Sequence, residues 1–118
     1  PIEGQFAENP YIEQQCLMGR GLSKTVMAAV LTEAAAAKPP EAVEASIRDT
    51  VGKINESVEK HARIGAVIIT REPWSIENEV LTPTLKIRRD KVDERFAELA
   101  SRLAREAAER GELLVHWL

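Results

Sequence analysis

Thr25-Val26-Met27-Ala28-Ala29-Val30-Leu31 is apolar at nearly every position. A strand carries apolar side chains in both directions only when both of its faces are covered. This run therefore predicts a strand inside a layered domain. Immediately before it, Gly19-Arg20-Gly21-Leu22-Ser23-Lys24 supplies turn chemistry, and residues 11–18 read as extended. Residues 11–31 are thus predicted to form a β-hairpin. Residues 2–8 have the composition of a short helix, which must stop before Pro10 because the residue preceding a proline is pushed out of the helical region.

Downstream, Pro39-Pro40 cannot lie inside a helix but fits the first turn of one. Val43, Ile47, Val51, Ile54 and Val58 recur at helical spacing, which predicts a helix over 41–62 with one apolar stripe. Gly52 weakens it slightly. A β-branched run over 66–70 predicts a strand, and 71–80 reads as irregular and polar. Asp90 is placed to cap a second long helix, with Val92, Phe96, Leu99 and Leu103 as its stripe and Gly111 at its end. The tail over 113–118 is apolar, docked either on the body or on something outside it. The class is α+β with an α/β-like character: a small sheet containing a hairpin, covered by two long helices.

At 118 residues the chain is the size of one domain. Aromatics make up only 4% of it, so aliphatic side chains must fill the core. The net charge of −3 and the lack of interleaved aromatics and basic residues argue against nucleic acid as a partner. The single cysteine, Cys16, cannot form an internal disulfide and is expected to be a buried, reduced thiol. That favours a cytoplasmic location. No apolar run is long enough to span a bilayer. Glu3 and Glu8 interrupt any signal-like start, and the chain opens on Pro1, as though cut from something longer.

His61 and His116 stand far apart with no ligand-type neighbours at metal spacing, so no metal site is expected. The segment 19–24 lacks the spacing of a phosphate loop and joins two strands rather than leading into a helix. Lys86-Ile87-Arg88-Arg89 is the one dense basic cluster. In an extended segment Lys86 and Arg88 would project to one side, with Leu85 and Ile87 as apolar anchors on the other. Two readings fit: a solvated basic edge, or a fixed lysine delivered to an anion such as phosphate.

Arg71-Glu72-Pro73-Trp74-Ser75-Ile76-Glu77-Asn78, followed by Leu81-Thr82-Pro83-Thr84-Leu85-Lys86-Ile87-Arg88-Arg89, resembles the last conserved motif of long-chain acyl-CoA synthetases. These belong to the adenylate-forming, AMP-binding superfamily. The family pattern reads like E-P-W-[ST]-x-E-N-G-x-L-T-P-T-x-K-x-[KR]-R with a long helix after it. Upstream, residues 2–10 look like the family's helix, 11–31 like its strand pair and 41–63 like its lid helix. One departure is Glu79, which stands where the family has glycine and lacks glycine's backbone freedom.

The resemblance implies that residues 1–118 are one domain, the carboxy-terminal lid of a larger ligase whose N-terminal ATP- and acyl-binding domain is absent. That enzyme would activate a fatty acid with ATP-Mg to an acyl-adenylate and then form acyl-CoA with CoA. Lys86 falls on the family's catalytic lysine. Arg88 is a secondary candidate, either contacting phosphate or steadying Glu77, and Trp74 is expected to be a packing anchor. The partners implied are the enzyme's own N-terminal domain, fatty acid, ATP and CoA. On its own the fragment is expected to be inactive. Membrane association, common in long-chain enzymes, finds no anchor in these residues. The alternatives are a stand-alone binding module, or the lid of an adenylate-forming relative with a different acid or acceptor.

Overall fold

The computed structural model describes Phe6 and residues 8–118. The expected helix over 2–8 lies outside the described residues except at Phe6 and Glu8, and Phe6 is buried. The strands are β1 (Ile12–Met18), β2 (Thr25–Leu31), β3 (Ile64–Thr70) and β4 (Leu114–Trp117). The helices are a single turn α1 (Glu33–Ala36) and two long ones, α2 (Pro40–Ser57) and α3 (Arg89–Arg110). The strands form one four-stranded sheet in the order β1-β2-β3-β4. The β1–β2 pair is antiparallel and the other two pairs are parallel.

The run that opened the reading is a central strand, apolar because both its faces are covered. Val26, Ala28 and Val30 join Ala66, Ile68 and the α3 residues Val92, Phe96, Ala100, Leu103 and Ala104 in one cluster. Met27, Ala29 and Leu31 join Val67, Ile69 and the α2 residues Val43, Ile47, Val51 and Ile54 in the other. The sheet is therefore the middle layer between two helices. Each fully buried valine or isoleucine contributes about 1.5–3 kcal/mol relative to exposure.

Three local expectations change. Helix α2 stops at Ser57 rather than at 62, and a short 3-10 turn (Lys60–Ala62) follows. Asn55 accepts the Ile64 N–H at 2.8 Å and donates to its carbonyl at 3.0 Å, drawing the chain into β3 sooner than composition suggests. The buried stripe of α3 runs through Ala100, Ala104 and Ala107, leaving Leu99 half-buried at its flank. Alanine there lets the helix lie close to the sheet. Asp90 is not the cap: the N-cap is Arg88, without a side-chain bond, and Asp90 lies in the first turn. Of the two placements left open for the tail it takes the first, packing on the body as β4. Trp117 donates its indole N–H to Glu44 at 2.8 Å, and the Arg71 guanidinium lies 5.6 Å from its ring centre.

Candidate functional site

Between β3 and α3 the chain has no long element, yet residues 71–88 are held tightly by local bonds. The first hold is Trp74, 3% exposed and packed in the α3-side core, as its reading as an anchor requires. Its backbone is gripped by Gln14 of β1, whose Oε1 accepts the Trp74 N–H at 2.8 Å while its Nε2 donates to the Trp74 carbonyl at 3.1 Å. The second hold is Asn78. Its Oδ1 accepts from the N–H groups of Ser75 (2.9 Å) and Val80 (3.2 Å), and its Nδ2 donates to the Pro73 carbonyl at 3.0 Å. Asparagine suits this place because its short amide satisfies turn backbone in both senses.

The third hold is a small hairpin closed by an antiparallel bridge between Leu81 and Ile87. Arg88 N–H donates to the Val80 carbonyl at 2.7 Å, and Thr82 N–H to the Lys86 carbonyl at 2.8 Å. Thr82 Oγ1 accepts the Lys86 N–H at 3.0 Å. Leu85 N–H donates to the Thr82 carbonyl at 2.8 Å, completing the turn.

The tip of this hairpin corrects the extended reading of residues 85–88. Leu85 adopts φ 65°, a left-handed conformation, and is 66% exposed. The turn breaks the alternation, so Leu85 anchors nothing. Leu81 and Ile87, the bridged pair, instead pack against the core. Glu79 adopts φ 67°. The glutamate thus takes up the left-handed backbone for which glycine is the usual residue, at a cost in strain.

Lys86 is exposed, and among the described residues no hydrogen bond or ion pair is made to its Nζ. Its backbone is fixed at both ends by Thr82 while its charge stays available. Arg88, half-buried, points its guanidinium to Asp90 at 3.8 Å and not to Glu77. Chemically, the arrangement is a cation on a long stem rising from a rigid base. Such a group can meet an anion brought to it. Among the described residues no three or more His, Cys, Asp or Glu side chains gather as a metal site. No helix among the described residues is long and apolar enough to cross a membrane.

Sequence reading named Lys86 and Arg88 as candidates and Trp74 as an anchor, but not the residues that hold them. Asn78 lay inside the motif, and its hydrogen-bonding capacity was the available signal. Gln14 carried none, because its partner lies 60 residues away.

Comparison with known proteins places these features in context. The sequence pattern of the "AMP-binding enzyme C-terminal domain" matches residues 1–107. The chain is 46% identical over 41 residues to the probable acyl-activating enzyme 16, chloroplastic, of Arabidopsis thaliana, covering 35% of this chain and 6% of that protein. Its fold is similar to that of the A-PCP didomain of a carboxylic acid reductase from Segniliparus rugosus in complex with AMP. There the TM-score is 0.76 and the identity 28%, over 92% of this chain and 16% of that one. The adenylation domain of a carboxylate reductase from Mycobacterium chelonae shares the fold with a TM-score of 0.73 at 21% identity, over 86% of this chain and 17% of that one. The chain thus spans about a sixth of the solved proteins it matches.

Proposed function

The chain belongs to the AMP-binding enzyme C-terminal domain family, and from that premise we propose that it is the lid of a fatty acid–CoA ligase in which Lys86 serves adenylate formation. In this reading residues 1–118 form one domain, and the ATP and acyl pockets lie on the enzyme's larger N-terminal domain. The full enzyme joins a fatty acid to ATP, with magnesium on the phosphates, giving acyl-adenylate and pyrophosphate. It then transfers the acyl group to CoA.

The observation that carries the proposal is the state of Lys86: an uncompensated cation on a hairpin whose backbone is locked by Thr82. When the lid closes, its ammonium bridges the attacking carboxylate and the α-phosphate. That aligns the two and stabilises the charge that grows as the new bond forms. A lysine fits the task because it is a compact charge on a long, mobile stem. Arg88 is the secondary candidate. Its exposed pairing with Asp90 is weak, so it can be exchanged for phosphate.

The test uses the full-length enzyme with Lys86→Ala. Adenylate formation, read by ATP–pyrophosphate exchange, should fall about 100-fold or more, the loss expected when a charge-stabilising donor is removed. Acyl transfer from supplied acyl-adenylate should survive. Equal loss in both half-reactions would overturn the assignment.

A second reading is favoured by the structural relatives, which are carboxylic acid reductases. In it the same lid serves adenylation, but the activated acyl group is destined for reduction instead of for CoA. Dependence of product formation on added CoA separates the two.

A further inference from the structure

We propose that Gln14 is a positioning residue for Lys86, acting from the far edge of the sheet through the backbone of Trp74. The proposal rests on the lid reading given above.

Its first support is how Gln14 comes to face the loop. The β1–β2 register slips between Ile12 and Gln14. Ile12 belongs to the α2-side core, whereas Cys16 and Met18 belong to the α3-side core. Regular alternation would put Ile12 and Gln14 on one face. The bulge re-aims the strand between them, a known use of bulges beside functional sites, and turns Gln14 toward the face that carries Trp74.

The second support is the form of the contact. Trp74 already anchors the loop through its buried indole. A side-chain anchor alone leaves the backbone able to pivot about the Cα–Cβ bond. Gln14 bonds both the N–H and the carbonyl of that same residue, at 2.8 and 3.1 Å. Two bonds to one residue fix the direction in which the chain leaves it. An amide carries its acceptor and its donor on two separate atoms, so it can take the N–H and reach the carbonyl at once without titrating.

The third support is an unbroken line of bonds from that point to Lys86. Ser75 donates to Asn78 and accepts from Leu81 N–H at 3.0 Å. Asn78 holds Val80, Val80 accepts from Arg88, and Leu81 bridges Ile87. A rotation at Trp74 is therefore carried to the hairpin tip rather than absorbed on the way. Displacement of a catalytic group by about 1 Å can cost roughly 100-fold in rate.

The test uses full-length enzyme carrying Gln14→Met, Gln14→Glu or Lys86→Ala, with folding followed by thermal unfolding. Gln14→Met keeps length and packing but makes no amide bonds. It should lower kcat for adenylate formation by roughly 10- to 100-fold, with the KM for ATP and the transfer of acyl from supplied adenylate nearly unchanged. Gln14→Glu keeps the acceptor and lacks the donor until it is protonated. Its adenylation rate relative to wild type should therefore rise as the pH falls toward the carboxylate pKa. Parallel loss of both half-reactions in Gln14→Met, or no loss of adenylation, overturns the proposal, and so does a flat pH ratio for Gln14→Glu. If Gln14→Met does not fold, that ratio decides alone. A Lys86→Ala enzyme impaired alike in both half-reactions would remove the lid reading itself, which tells that failure apart from failure of the clamp.

Discussion

Replacing Asn78 by alanine tests how much this one amide contributes to holding the loop before Lys86. The side chain makes three hydrogen bonds to backbone, two as acceptor and one as donor. A protein hydrogen bond is worth about 1 kcal/mol net, which sets a ceiling of about 3 kcal/mol for the three. Asn78 is half-buried, so water can replace part of what is lost, and about 2 kcal/mol is the expected cost. For a domain of this size that lowers the thermal midpoint by about 8 °C. Asn78→Asp keeps both acceptor bonds and loses only the donation to Pro73, so its cost should be about 1 kcal/mol. Urea unfolding of the two variants beside the parent chain measures both values. A cost below about 0.5 kcal/mol for Asn78→Ala, the size of an ordinary surface substitution, would refute the reasoning. So would equal costs for the two variants.

Glu79 and Glu44 give two further tests. Glu79→Gly removes the strain of a left-handed glutamate at φ 67° and, net of the added freedom of the unfolded chain, should stabilise by about 0.5 kcal/mol; a lower urea midpoint for Glu79→Gly would contradict this. The Glu44 carboxyl is held below its usual range, chiefly by the Trp117 indole N–H, with burial opposing and Arg48 assisting. A depressed folded pKa means the contribution is present above the unfolded value, about 4.3, and is lost as pH falls through the lower folded value. The stability gap between the parent chain and Glu44→Gln should therefore close on acidification across that window, and a gap independent of pH would disprove the link between α2 and β4.

The layers were legible because each rests on a local period. The all-apolar Thr25–Leu31 run and the stripe from Val43 to Ile54 needed no knowledge of the rest of the chain. Val58, the stripe's last expected member, is the C-cap of α2 rather than part of it, because Asn55 draws residue 64 into β3. Strand β4 was not legible as a strand. Its four residues pair with β3 through parallel bonds, and nothing in a short apolar tail announces a partner more than forty positions away. The site divided in the same way. Lys86 and Trp74 stood out as residue types in a motif, whereas the left-handed Leu85 and the Gln14 clamp arise from the closing of a turn and the slip of a register.

The placement of charge at the start of α3 has a physical consequence of its own. A helix N-terminus carries the positive end of the dipole, where cations are disfavoured by about 0.3–1 kcal/mol each. Arg88 is nonetheless the N-cap and Arg89 the first residue, with Lys86 three positions ahead. Asp90 in the first turn favours the dipole, but it meets Arg88 only through an exposed contact of 3.8 Å, and such pairs add little. No side chain caps the first turn. Stability alone would favour an acidic or hydroxyl residue at position 88. Arg88→Ser should therefore stabilise the chain by about 0.5–1 kcal/mol, read as a higher urea midpoint, and an unchanged or lower midpoint would contradict this.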